Sequence, residues 1–335
     1  MVISLLAIKH KMNYLFLFTI SFLISLILTP FFRKIGVKFH LCDIPSGDKL
    51  KIHKRPIPLL GGLAMLISVI VALGLARFLI WGQPLDFARD SPLLDLKILI
   101  IISGATIITL FGFWDDIKWK HVELAKLGPK IFIQLVLSGL IAFFFVISGL
   151  KVNFLPSIFL VSFLTFFYIW GLINAVNFED GLDGLAGGLV AISALGFGIL
   201  SYWQSNELGL ILSLALFGAI LGFLIYNWHP ASIFMGDSGS NFLGLMLAVL
   251  VIIFTSKPYN IYWFIGPLLI AGFPIFDTGL AIVRRLVKGK SPFLGDRAHI
   301  YDRIHRRGFS IKKTVLLCWL IQVIFVTGGL IICNL

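Results

Sequence analysis

The sequence predicts an all-α, polytopic integral membrane protein, and three observations carry that prediction. First, 59% of the 335 residues are hydrophobic and only 13% are charged, with a mean hydropathy of +0.99. Soluble domains are nearer half apolar and a quarter charged. Second, apolar runs of roughly 20 residues, the length a helix needs to cross a bilayer, recur along the whole chain. Third, the basic residues are concentrated in a few of the intervening segments, as they are on the cytoplasmic side of membrane proteins.

The predicted spans lie at about 12–32, 58–80, 96–113, 130–149, 154–173, 185–203, 207–226, 239–255, 261–283 and 314–334. Prolines mark several boundaries: Pro56 and Pro58 before the second span, Pro129 at the fourth, Pro258 before the ninth. No cleavable signal with a small-residue exit site precedes the first span, so that span is expected to stay. The whole of 1–335 is expected to form a single transmembrane domain.

Ten spans place both termini on one side. Segments 33–57, 114–130 and 284–313 hold 21 of the 28 Lys and Arg residues. The predicted topology therefore has both termini outside and those loops in the cytoplasm, together with the connections at about 174–184 and 227–238. The net charge of +12 is explained by this asymmetry and does not call for nucleic acid. The three cysteines, Cys42, Cys318 and Cys333, show no metal-ligand spacing and read as small apolar side chains. No fixed-period repeat suggests a repeat-built transporter.

The polar groups that matter gather on the predicted cytoplasmic face. NAVNFEDGLDGLAGG, residues 174–188, spaces Asn174, Asn177, Asp180 and Asp183 three apart. On a helix that spacing gives one face, and its glycines admit close approach of a backbone or a phosphate. Asp115 and Asp116 end the third span. Adjacent side chains diverge on a helix, so one can serve a cation or act as a base while the other meets a lysine. Lys130, opening the fourth span, is expected within reach of Asp116 or a phosphate.

Asp237 lies in FMGDSGS at an expected helix start, where a carboxylate can hold Mg²⁺ bridged to phosphate. The alternative is an ordinary cap. Asn227 is a helix-end amide or a ligand contact; Phe234 is a base-stacking ring or a core side chain. Lys54 and Arg55 precede PIPLLGG and either bind phosphate or anchor the span. Asp277, inside the ninth span, is either the buried partner of a basic residue or part of the site. GDRAHIYDRIHRRGFS carries Arg297, His299, Arg303 and further basic groups whose forks match phosphate oxygens. The signatures of P-loop, zinc-protease and serine-hydrolase chemistry are absent from the sequence.

Taken together, PIPLLGG, the DD pair, NAVNFEDGLDGLAGG, FMGDSGS and DRAHIYDR resemble the polyprenyl-phosphate N-acetylhexosamine-1-phosphate transferase family. The likeness covers most of the chain, and the joint order of the motifs is far more specific than any one of them. It implies transfer of a sugar-1-phosphate from a UDP-N-acetylhexosamine to a polyprenyl phosphate, with release of UMP, at a bacterial-type cytoplasmic membrane. The implied cofactor is Mg²⁺, with Mn²⁺ as a substitute. By the same resemblance, Asp237 would be the principal metal ligand, and Asn177 a second ligand or a contact to the metal-bound diphosphate. Asp115 would deprotonate or position the lipid phosphate, with Asp116 as its partner through Lys130. Asp180, Gly181, Leu182 and Asp183 would lie along the nucleotide. Phe234 would stack on the uracil, Asn227 and Lys54 would hold the nucleoside, and His299 with Arg297 and Arg303 would act toward the sugar-phosphate. A homodimer is compatible with the family but is specified by nothing in the sequence.

One departure narrows the branch. Many members carry a run of histidines here, and this chain reads HIYD, with Tyr301 and Asp302 in those places. The triple histidine of the muramoyl-pentapeptide enzyme is missing, which favours a UDP-N-acetylglucosamine-type donor. Two other classes fit less well. A CDP-alcohol phosphatidyltransferase needs an arginine and further spaced aspartates after its first DG, and DGLDGLAGG runs into apolar sequence. A transporter or flippase needs ionisable groups at mid-span and a path to both faces.

Overall fold

The computed structural model describes residues 2–45, 55–81, 92–118, 128–154, 156–255, 260–289 and 298–335. Its twelve helices are α1 (Val2–Lys38), α2 (Gly61–Trp81), α3 (Pro92–Lys118), α4 (Gly128–Ile147), α5 (Ile158–Glu179), α6 (Leu185–Trp203), α7 (Glu207–Asn227), α8 (Gly236–Phe254), α9 (Ile261–Ile270), α10 (Gly272–Val287), α11 (Ile300–Arg306) and α12 (Ile311–Cys333). A two-residue ribbon, β1 (Cys42–Asp43) antiparallel to β2 (Ile57–Pro58), closes the described part of the first loop. Among the described residues, eight helices are long and apolar enough to cross a membrane, or nine with the bent pair α9–α10 taken as one. α2, apolar over Gly61–Leu75, corresponds to the remaining predicted span.

Burial ranks the helices. The apolar window of α8 is 94% buried, against 22% for α1 and 28% for α4 and α12. α8 is thus the central post, and the outer helices turn apolar side chains outward, as lipid-facing helices do. The post is approached closely because its neighbours lack side chains where they touch it. A Cβ on Gly62 would strike the backbone of Gly239, and one on Gly112 would strike the Asp237 carbonyl. Small residues at such crossings let helix backbones meet directly. Between α1 and α7, Ser21 and Ser25 each donate a 2.6 Å hydrogen bond, to the carbonyls of Ala215 and Ala219.

The ninth predicted span, 261–283, is not one continuous helix. It bends by 89° between α9 and α10. Pro267 and Pro274 each remove a helix donor, and Pro274 cannot serve the carbonyl of Ile270. The freed groups are met from α12: the Gln322 amide donates to the Ile270 carbonyl at 2.7 Å and accepts from the Phe273 N–H at 2.8 Å. Its Nε2 also donates to Ser193 Oγ at 2.9 Å, tying α6 into the break.

Hydrogen bonds between helix ends set the polarity of the bundle. Gly61 and Gly62 at the start of α2 donate to the Phe234 and Met235 carbonyls before α8. Asn177 near the end of α5 and Lys130 at the start of α4 both reach Asp237 at the start of α8. Tyr301 of α11 meets the end of α5. The opposite end joins the residues after α4 to the end of α8, through Asn153 N to the Thr255 carbonyl. Every described motif of the sequence therefore lies at one end of the bundle.

Candidate functional site

The site begins with the two adjacent carboxylates at the end of α3, which part company as adjacent helical side chains must. Asp116 accepts from the backbone N–H of Asp237 (2.9 Å) and of Ser238 (3.2 Å). It therefore caps α8, whose own N-cap residue, Met235, has no side chain able to do so. The chain turns into α8 at Gly236 with φ +69°, and a Cβ there would collide with the Asp116 carboxylate. Asp115 is buried and paired with Lys130 Nζ. Lys130 Nζ also meets Asp237 Oδ2 at 2.8 Å. The expected pairing of Lys130 with Asp116 is thus replaced by pairing with Asp115 and Asp237, because the α8 N-terminus holds Asp116.

Asp237 Oδ1 accepts from Asn177 Nδ2 at 2.9 Å, and the same Nδ2 lies 2.8 Å from Ser240 Oγ. Two carboxylates thus share a single ammonium, with the Asn177 amide on the far oxygen of Asp237 and Asp116 behind it on the backbone. Among the described residues no hydrogen-bond donor reaches the buried Asp115 Oδ1. An oxygen-rich, negatively charged group with one oxygen unserved fits a hard divalent cation. The Asp237 and Lys130 side chains remain 30% and 27% exposed, so the group is open to a ligand.

The spacing of three along 174–183 does not give one converging face. α5 ends at Glu179, so the helical register stops before Asp180 and Asp183. Asn174 donates back to the Trp170 carbonyl at 2.7 Å. Asp180 is half-buried; burial, then the nearby Asp237 and Asp183 carboxylates, push its carboxyl well above the usual range. Asp183 Oδ2 is 2.7 Å from His229 Nδ1 and accepts from Ala231 N at 3.0 Å. Asn227 is spent on both sides: Oδ1 accepts from Gly184 N (3.0 Å) and Nδ2 donates to the Ile233 carbonyl (2.9 Å). Of its two sequence readings, the geometry matches the helix-end amide. Leu182 packs in a small core with Leu185, Phe273, Val315 and Tyr301. The Phe234 backbone is pinned to Pro58 and Gly61, and its ring is half-exposed.

A second group lies around His299, the residue that opens α11. His299 Nδ1 is 2.5 Å from Asp277 Oδ2, and Ile300 N donates to Asp277 Oδ1 at 2.8 Å. Asp277 is therefore a buried partner of a basic residue, the first of its two sequence readings. Glu179, Asp277 and His299 are all buried and offer ligand atoms within 4.8 Å of one another. Phe178 and Tyr301 flank the imidazole, with ring centroids at 5.8 and 5.7 Å. Tyr301 donates to the Phe178 carbonyl at 3.2 Å, and a Cβ on Gly181 would strike its phenol ring. Burial first, then Asp302, Glu179, Asp277 and Asp180, push the Tyr301 phenol up, so it stays a donor. Arg303 is exposed and bonds the Ala298 carbonyl at 3.0 Å. Lys54 and Arg297 lie outside the described residues.

Two residues escaped the sequence reading: Glu179 and His229. Glu179 carried a usable signal, a carboxylate in the apolar last turn of a span. His229 carried none, because it is placed by a contact 46 residues away.

Fold and site together define a class: a membrane-embedded enzyme that gathers carboxylates, a lysine and a histidine at one end of its helices. Comparison with known proteins narrows the class. A sequence profile described as glycosyl transferase family 4 matches residues 98–255. The probable undecaprenyl-phosphate N-acetylglucosaminyl 1-phosphate transferase of Bacillus subtilis (strain 168) is 35% identical over 324 residues, covering 94% of this chain and 84% of that protein. The decaprenyl-phosphate N-acetylglucosaminephosphotransferase of Mycolicibacterium smegmatis is 32% identical over 322 residues, 89% of this chain and 77% of its own length. The undecaprenyl-phosphate alpha-N-acetylglucosaminyl 1-phosphate transferase of Escherichia coli (strain K12) is 28% identical over 339 residues, 98% and 84% of the two chains. The chain belongs to glycosyl transferase family 4.

Proposed function

We propose that this enzyme transfers N-acetylglucosamine-1-phosphate, or a closely related N-acetylhexosamine-1-phosphate, from its UDP-sugar to a polyprenyl phosphate. An oxygen of the lipid phosphate bonds to the sugar-linked phosphorus of the donor. The bond from that phosphorus to the bridging oxygen breaks, and UMP leaves with that oxygen. The products are a polyprenyl-diphospho-sugar and UMP. The names of the relatives support the acceptor and the sugar. The single observation in the structure that carries the reading is the Asp115–Lys130–Asp237 group with Asn177 beside it.

The residues of this chain would divide the work as follows. Asp237, with Asn177, would hold Mg²⁺, which neutralises diphosphate charge when bound. Asp115 would hold Lys130 in place and, through that ammonium, orient the lipid phosphate; that phosphate is largely ionised near neutral pH, so positioning matters more than proton removal. Lys130 would offset charge developing on the phosphates. Asp116 would act one step back, by fixing the first turn of α8 that presents Asp237. Asp183, held by His229 and Ala231 N, and the half-exposed Phe234 ring would form the nucleoside wall, with Asp180 and Gly181 between that wall and the carboxylates. The basic loops at this end favour a cytoplasmic orientation, with both termini outside.

The test is to incubate the purified protein with undecaprenyl phosphate, Mg²⁺ and a panel of UDP-sugars, and to identify the lipid product by mass. A polyprenyl-diphospho-N-acetylhexosamine with equimolar UMP is expected. No lipid-linked product from any donor overturns the reading.

A further inference from the structure

Buried in the second group is a chain of charges whose order fixes the state of a histidine. An ionised carboxylate accepts hydrogen bonds and a guanidinium only donates them. His299 stands between one of each: Asp277 Oδ2 lies 2.5 Å from Nδ1, and Arg285 Nη2 lies 3.5 Å from Nε2. Asp277 also receives the Ile300 N–H at 2.8 Å, the pattern of an ionised carboxylate. Both neighbours demand the same tautomer, with the proton on Nδ1 and the lone pair on Nε2.

The three buried ligand atoms of Glu179, Asp277 and His299 could instead suggest a cation. Three observations weigh against it. Nδ1 and Oδ2 are already at hydrogen-bond distance, Oδ1 is taken by a backbone N–H, and Arg285 supplies the positive charge, held over the Phe178 ring at 5.7 Å.

We infer that Asp277 is a positioning residue for the transfer reaction: it locks His299 as the Nδ1–H tautomer, and the Nε2 lone pair in turn orients the Arg285 guanidinium. His299 is then a fixed bridge between an anion and a cation. Phe178 and Tyr301 both pack against the imidazole, Tyr301 with its plane 11° from that of His299, and restrict its rotation. The group that this device holds is an arginine fork, itself 2% exposed, whose chemistry suits phosphate or sugar-linked oxygens. Locking a functional imidazole through a carboxylate on its far nitrogen is a general means of fixing tautomer and orientation.

This inference rests on the phosphotransfer reading for its function, but its chemistry is tested separately. Nitrogen NMR on the ¹⁵N-histidine-labelled full chain in lipid nanodiscs, with His299 assigned by its loss in His299→Asn, reads the tautomer without any turnover. Protonated Nδ1 with an unprotonated Nε2 is expected; the reverse tautomer overturns the inference even in an active enzyme. In the transfer assay, Asp277→Asn should lower kcat by about 10- to 100-fold with the KM for the UDP-sugar unchanged. Adding it to His299→Asn should cost nothing further. Additive losses in that double variant, or full kcat in Asp277→Asn, also overturn it. A wild-type protein that makes no lipid product, yet shows the Nδ1–H tautomer, sinks the reaction assigned above and leaves the locked histidine standing.

Discussion

The group around Asp237 and the group around His299 begin two residues apart on α5, at Asn177 and Glu179, and they handle charge in opposite ways. At the first, Asp115 and Asp237 share one lysine, the Asp237 side chain is 30% exposed, and Asp115 keeps an oxygen that no donor reaches among the described residues. At the second, His299 and Asp277 are buried at 4% and 1% exposure, and each is matched by a neighbour of complementary character. Like carboxylates crowded in a half-open place are stable only with a further positive partner. In the sealed group the His299–Asp277 pair is matched, while both oxygens of the buried Glu179 lack a hydrogen-bond partner among the described residues. The difference teaches which group is built to receive a charged ligand and which is built to hold its own shape. It also separates the expected effects of mutation: at the open group the charge that receives the ligand should be lost, and at the sealed one the positioning of His299 and Arg285.

The sharpest way to break that contrast is Asp237→Asn. The amide keeps the size and one acceptor oxygen, enough for Lys130 or Asn177 but not both, and it removes the charge that Mg²⁺ and the diphosphate require. UMP release should fall on the order of 10²- to 10³-fold, while the thermal unfolding midpoint stays near that of the wild type. A variant with normal turnover would remove Asp237 from the chemistry. A variant that unfolds early would show the open group to be structural after all.

Much of this was legible before any coordinates. Length and apolarity alone outline the helical membrane architecture, eight or nine spans by length and composition among the described residues where ten are expected, and the clustering of Lys and Arg marks the end of the bundle that carries the motifs. FMGDSGS announced a helix start with a carboxylate in its first turn, and α8 begins there. What the sequence hid has physical causes. The break between α9 and α10 depends on Gln322, 49 residues beyond the Phe273 N–H it accepts from, and prolines alone do not tell a broken span from a kinked one. The spacing of three from Asn174 suggested one face, but register means nothing past the end of a helix, and α5 stops at Glu179. Asp115 and Asp116 were rightly expected to diverge. Which of them meets Lys130 was decided by the unsatisfied N–H groups of a helix more than a hundred residues away.

Gly181→Ala probes the seam where the nucleotide wall meets the sealed group. The added methyl would sit against the Tyr301 ring, closer than van der Waals contact allows, and Tyr301 is hemmed in by Leu182, Val315 and Cys318. Overpacking of this kind costs about 1–3 kcal/mol. The unfolding midpoint should drop, and activity should fall with it as Asp180 and Asp183 shift. An unchanged midpoint with lost turnover would mean that Gly181 is reserved for the ligand and not for Tyr301.

Tyr301→Phe makes the finest distinction, because it removes one atom. The phenol donates a single 3.2 Å hydrogen bond to the Phe178 carbonyl, at the last turn of α5, while its ring packs on His299 with the planes 11° apart. Phenylalanine keeps the ring and therefore the wall that holds the imidazole. The lost bond should cost about 1 kcal/mol, read as a small fall in the unfolding midpoint, with turnover close to wild type. The outcome bears on what the position of Tyr301 does in this chain. If turnover collapses while the midpoint holds, the hydroxyl takes part in the chemistry and the sealed group is not merely a frame. If both change little, Tyr301 serves through its ring alone, tying α11 to the end of α5 and keeping His299 in line between Asp277 and Arg285.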